Sequence, residues 1–144
     1  MDGVFEGIRV MVPIIFLVTE GFRDLIKHQI SMASVIITGG VGLILWILHR
    51  ENVVGILGGI LIGLILLLLA KFTEEKIGYG DGWVFVVTGI YIGFRANLYL
   101  LFLSLFFSAI ISMILLICKK AKRKTELPFV PFVVPAYLLL LVIR

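Results

Sequence analysis

The stretch VVGILGGILIGLILLLLA, Val53–Ala70, decides the fold: eighteen consecutive residues without one Asp, Glu, Lys or Arg. As a helix rising 1.5 Å per residue it is about 27 Å long, close to the roughly 30 Å hydrocarbon core of a bilayer. A helix also satisfies its own backbone hydrogen bonds, which lipid demands of any spanning segment. Outward from this stretch, Ile30–Leu48 and Asn97–Cys118 are equally free of acidic and basic residues. Val4–Thr19 reads as a further span, with Glu6 and Arg9 placed at i, i+3 to pair near one membrane face. Leu127–Ile143 reads as the last, its first turns made irregular by Pro128 and Pro131, with Pro135 further along. Trp83–Phe94 is too short to cross unless it starts near Ile77, which draws Gly78-Tyr79-Gly80-Asp81 to the membrane boundary. The expected architecture is an all-α polytopic membrane protein with about six transmembrane helices, a single membrane-embedded domain over residues 1–144.

Composition agrees. With 61% hydrophobic and only 15% charged residues, the chain cannot clothe a soluble domain in polar surface, and the same figures exclude intrinsic disorder. The net charge of +4 is local and not spread over a groove-shaped face, so nucleic acid is not an expected partner. Cys118 is the sole cysteine, and His28 and His49 are the only histidines. Disulfides are thereby ruled out within the chain, and a structural metal site is not expected. Asp2 and Glu6 stand where a signal peptide would be basic, so the amino terminus reads as part of the mature protein.

If even-numbered spans run from inside to outside, Arg23, Lys27, Lys71, Lys76, Lys119, Lys120, Lys122, Arg123 and Lys124 share one side. Arg9, Arg50, Arg95 and Arg144 fall opposite. This bias places both termini outside and the loops carrying Asp24 and Asp81 in the cytoplasm. The basic run from Lys119 to Lys124 suits anionic lipid headgroups. Gly55, Gly59 and Gly63 lie at i, i+4, i+8, and Gly89 and Gly93 repeat that spacing, so the third and fourth spans are expected to pack closely.

Candidate chemistry centres on Asp81, flanked by Gly78, Gly80 and Gly82 at the mouth of a short span. A carboxylate at that depth is either functional or a helix-start cap. The glycines either form a plain turn, hold a turn that brings a substrate's peptide bond against the carboxylate, or keep the stretch open as an extended recognition edge. Asp24, just past the first span on the same expected face, is either its partner or a solvated loop charge beside Arg23 and Lys27. If the two carboxylates meet around a water, like charges in a partly desolvated site divide into an acid and a base. Competing chemistries are poorly supplied. Ser31, Ser34, Ser104, Ser108 and Ser112 lack a histidine and acid in a triad pattern, and Cys118 lacks a basic partner. His28 has no metal-ligand motif around it, and Glu74 and Glu75 either attract a basic substrate segment or form a solvated loop pair balanced by Lys71 and Lys76.

Three ordered stretches resemble the type IV prepilin peptidases, small GxGD membrane aspartyl proteases that include the archaeal preflagellin peptidases. Asp24 followed after five residues by Ile30-Ser31 is similar to the family's first motif, which usually ends in Ile-Pro. Gly78-Tyr79-Gly80-Asp81, with Gly89 and Gly93 beyond it, resembles the second. Leu127-Pro128-Phe129-Val130-Pro131-Phe132 resembles the opening of the last span. Ser31 for proline, and Trp83 where many members carry lysine, are departures. The resemblance implies Asp24 and Asp81 as the catalytic pair, and the expected arrangement has Gly78, Tyr79, Gly80 and Gly82 as substrate-binding residues that admit the substrate strand, with helices two to five forming the cage. It implies a prepilin-like substrate with a short basic leader and a hydrophobic helix, cut at the cytoplasmic face of the cell membrane. Neither a metal nor a cofactor is implied, and the cysteine-rich methyltransferase segment of the larger members has no counterpart. Two other readings of the residues stand beside it: a small transporter or channel component using the aspartates as a proton or cation relay, and an assembly subunit whose glycine faces bind other helices.

Overall fold

The computed structural model describes residues 2–27, 30–49, 53–72, 79–118 and 129–143. Gly78, His28, Glu74, Glu75 and the basic run Lys119 to Lys124 lie outside these described residues. The fold is all-helical, in the order α1 (Asp2–Lys27), α2 (Met32–His49), α3 (Val53–Phe72), α4 (Tyr79–Ile117) and α5 (Val130–Ile143). Among the described residues, α3 and α4 are long and apolar enough to cross a membrane, and α2 and α5 are shorter apolar helices.

A straight helix the length of α4 would extend about 58 Å, twice the hydrocarbon thickness. It is not straight. Gly93 has φ +80° and ψ −177°, outside the helical region and in the half of φ space that glycine tolerates best. Thr88 Oγ1 donates to Asn97 Oδ1 at 2.7 Å, and Asn97 Nδ2 donates to the Phe85 carbonyl at 3.0 Å. In a continuous helix nine residues rise about 13.5 Å, so these bonds require the arm after Gly93 to fold back along the arm before it. The break falls at Gly93, whereas the sequence suggests Arg95 and Ala96 as the connection. Backbone freedom, more than the arginine's charge, fixes where the chain turns.

The expected glycine packing is present. A Cβ on Gly59 would lie 2.5 Å from the Gly89 carbonyl oxygen, and one on Gly63 would lie 2.4 Å from the Val86 nitrogen. One on Gly82 would press on Leu67. Position numbers rise along α3 as they fall along α4, so the two elements run antiparallel, with backbones touching where Gly59 meets Gly89. Asn97 stitches this seam to the second arm by donating to the Gly59 carbonyl at 3.0 Å. At the far end of the first arm, Arg9 donates to the Tyr91 carbonyl at 2.8 Å, a carbonyl freed by the break at Gly93. Cationic donors suit a helix carboxyl end, where the backbone dipole is negative. The expected Glu6–Arg9 pair is also formed, at 3.6 Å.

The core gathers Phe16 and Leu17 of α1, Val35 of α2, Phe85, Val87 and Leu100 of α4, and Val133, Ala136 and Tyr137 of α5. Outer faces remain apolar: Ile36, Ile44, Val54, Leu57, Leu68, Phe102, Phe106 and Ile114 are all exposed. Such a surface is at home in lipid and untenable in water.

Candidate active site

Four helix ends converge where Asp24 and Asp81 stand. The structure corrects the sequence reading of Asp24 as a loop residue beyond the first span, because α1 continues through it to Lys27. Nor is it a solvated charge, being only 8% exposed. An acidic group in the last turn opposes its own helix dipole, a local misfit resolved from outside. Asp24 Oδ2 accepts a hydrogen bond from the Val130 N–H at 3.1 Å, at the amino end of α5, where unpaired donors and the positive dipole end favour an anion. Gly21, one turn earlier, gives α5 room: a Cβ there would touch Val134 at 3.4 Å and Pro131 at 3.7 Å.

Asp81 occupies the first turn of α4, a position that suits a carboxylate. It is half-buried, and Asp24 is close enough for the two charges to interact. Residues so far apart in sequence are brought together by the contacts beside them. Phe85, one turn past Asp81, stacks at a tilt on Phe129 with ring centres 6.2 Å apart. Phe129 directly precedes Val130, so the aromatic pair ties the turn carrying Asp81 to the amide holding Asp24. α1, α4 and α5 therefore all contribute to the surroundings of the two aspartates.

The candidate substrate residues fare differently from one another. Tyr79 opens α4, and Gly80 and Gly82 are already in its first turn, so this stretch is helical and not an extended edge. A Cβ on Gly80 would lie 2.6 Å from Ile30 Cδ1, and one on Gly82 would lie 2.7 Å from Leu67 Cγ and 3.0 Å from its nitrogen. The faces of both glycines are thus occupied by neighbouring helices or their flanks.

One residue that sequence reasoning missed is Glu20, one helical turn before Asp24 and fully buried. Its Oε2 accepts the Ser31 N–H at 3.0 Å, with Arg23 Nε 3.9 Å away. Its Oε1 has no hydrogen-bond partner among the described residues. The signal was available: Glu20 and Asp24 share a face at i, i+4, and Glu20 sits at the edge of an apolar stretch. Proline in place of Ser31 would offer no N–H, so the departure at this position supplies the donor that Glu20 accepts. Among the described residues no cluster of three or more His, Cys, Asp or Glu is arranged to hold a metal ion.

Known proteins add one match. A model of the type IV leader peptidase family matches residues 11–113, a stretch that contains both aspartates. Neither a curated relative nor a solved structure matches the chain.

Proposed function

Because the chain belongs to the type IV leader peptidase family, whose members are aspartic peptidases acting on prepilin-like substrates, we propose that Asp24 and Asp81 form its catalytic pair. The observation that supports this reading is the placement of the two aspartates: Asp24 stands in the last turn of α1 and accepts the first amide of α5, while Asp81 stands in the first turn of α4, whose Phe85 packs on Phe129 beside that amide.

Two carboxyls sharing a partly dry site are best used with one proton between them. The ionised carboxylate takes a proton from a water placed between the pair, and the resulting hydroxide attacks the peptide carbonyl carbon. The protonated partner gives its proton to the carbonyl oxygen, producing a neutral gem-diol intermediate without an acyl-enzyme. As that intermediate collapses, the now ionised carboxylate takes a proton from one of its hydroxyls while the C–N bond breaks, and the leaving amine collects the proton held by the other carboxyl, which returns the pair to its starting protonation. All the groups required come from the two side chains, so no cofactor enters.

In this reading the substrate is a prepilin-like protein with a short basic leader ahead of a hydrophobic helix. Helix-end aspartates beside apolar outer walls support it: the helix of the substrate stays in lipid while the scissile bond reaches the carboxylates at the boundary. Gly80 and Gly82 act by letting Ile30 and Leu67 close on the turn that presents Asp81, which leaves Gly78 and Tyr79 as the residues to contact substrate directly. The foldback at Gly93 supports six crossings by one domain. The bias of basic residues supports outside termini and a site at the cytoplasmic face of the cell membrane.

Cleavage of a prepilin-like peptide by the detergent-purified protein tests the assignment, with Asp24→Asn and Asp81→Asn compared at matched melting midpoints. Both replacements are expected to abolish cutting. A mutant that cuts at a rate comparable to the unmodified protein removes its aspartate from the mechanism.

A further inference from the structure

Resting on that reading, we propose that Glu20 is a positioning residue, one that sets the approach of the two aspartates by fixing the amino end of α2 to α1. The connection can be followed atom by atom. Ser31 begins α2 as its amino-terminal cap: its carbonyl accepts the Val35 N–H at 3.1 Å and its Oγ accepts the Ser34 N–H at 3.4 Å. Its own N–H precedes the helix and has no intrahelical acceptor. Glu20 Oε2 supplies one. Ile30, the residue just before, fills the face of Gly80, and Gly80 adjoins Asp81. Glu20 therefore holds the wall against which the Asp81 turn rests, from the same helix face that carries Asp24.

Two neighbouring carboxylates on α1 thus perform parallel tasks. Asp24 takes an amide at the start of α5, and Glu20 takes one at the start of α2. Burying a carboxylate with one oxygen unpartnered is costly, and an apolar side chain would fill the same space more cheaply. Retention of the acid makes sense if the Ser31 amide must be held in place.

Full-length variants test this through two independent readouts, the melting midpoint in detergent and the kinetics of peptide cleavage. Glu20→Leu removes the acceptor and is expected to lower kcat about tenfold to a hundredfold while KM stays within about threefold, since a small misplacement near reacting groups acts on the chemical step. Glu20→Gln keeps an oxygen for the Ser31 amide and is expected to restore kcat to within about threefold of the unmodified protein. Ser31→Pro removes the donor and should resemble Glu20→Leu, whereas Ser31→Ala keeps the N–H, loses only the hydroxyl cap on Ser34 at about 1 kcal/mol of stability, and should keep kcat in its folded fraction. The double variant Glu20→Leu with Ser31→Pro removes both partners, so its losses in melting and in kcat should fall well short of the product of the single losses.

Additive losses would overturn the tie. Coupling in the melting midpoint with an unchanged kcat for Glu20→Leu would make Glu20 a stabilising residue only, and so overturn the positioning role. A loss in Glu20→Gln equal to that in Glu20→Leu would show that the carboxylate itself is needed, which also overturns it. If the unmodified protein cuts no peptide while the melting midpoints still couple, the peptidase reading falls and the tie between α1 and α2 stands.

Discussion

Two groups of buried polar side chains sit in this molecule, and they are finished to different degrees. At the seam between α3 and the folded α4, Asn97 donates to the Gly59 and Phe85 carbonyls and accepts from Thr88, whose hydroxyl also lies 3.2 Å from the Phe85 carbonyl. Both amide protons are in use and the amide oxygen accepts a hydrogen bond, so the side chain is committed to the seam. At the carboxylate end, Asp24 and Asp81 are near enough for their like charges to interact, and Glu20 keeps an oxygen without a partner among the described residues. A satisfied network stabilises one packing, whereas acceptors left over among acids stabilise little by themselves and are available for reaction. Under the proposed function, the contrast separates a polar residue that holds the fold from a pair of aspartates set for chemistry, with Glu20 holding the frame around that pair.

The largest effects should come from the acids. Asp24→Asn and Asp81→Asn are each expected to lower kcat by about a thousandfold or more, with the double variant no worse than either single one, because the two act as a unit. Their melting midpoints should barely move, since an asparagine oxygen at position 24 can still accept the Val130 N–H. Multiplying losses in the double variant would break the comparison by showing that the carboxyls work separately.

The seam should respond in the opposite manner. Gly59→Val drives new atoms into the Gly89 backbone, where even one Cβ would lie 2.5 Å from an oxygen, and the expected cost is about 3 kcal/mol or more. Asn97→Ala leaves two carbonyls and a hydroxyl without their partner at a cost of about 2 kcal/mol. Chemical melting with parallel kinetics checks both. The folded fraction of Asn97→Ala should retain kcat, and a selective loss of kcat there would place the seam within the machinery of the site.

How much of this could be read from the residues follows the same division. Apolar runs, the glycine spacings on α3 and α4 and the Glu6–Arg9 pair are side-chain patterns with fixed helical geometry, and each was legible. The aspartates were visible as charges near apolar runs, but their helical setting was not. Arg23, Asp24 and Lys27 look like a loop in sequence, and only packing against α5 buries one face of that turn. The Val130 donor is a backbone group and leaves no trace in residue type. Glu20 resembles a boundary charge until the position of Ser31 is known. The turn at Gly93 was misplaced toward Arg95 because charge is easier to see than a backbone able to adopt positive φ.

The smallest expected effect sharpens the division at the far end of the molecule. Arg9 holds the Tyr91 carbonyl, lies 5.9 Å above the Phe5 ring and pairs with the exposed Glu6. Fifteen residues of helix separate it from Asp24, about 22 Å along the axis, so it cannot touch the acids. Arg9→Gln keeps a donor that is shorter and uncharged, and should cost about 1 kcal/mol in stability. Glu6→Gln should cost less still, about 0.5 kcal/mol or below, because the Glu6 side chain is itself largely exposed. Neither replacement is expected to alter kcat. If Arg9→Gln slowed cleavage at full folding, the Gly93 end would have to be coupled to the carboxylate end, through α1, which carries Arg9 and Asp24, or through the first arm of α4, which carries the Tyr91 carbonyl and Asp81. By the second route its effect should vanish when Tyr91 is held by another donor.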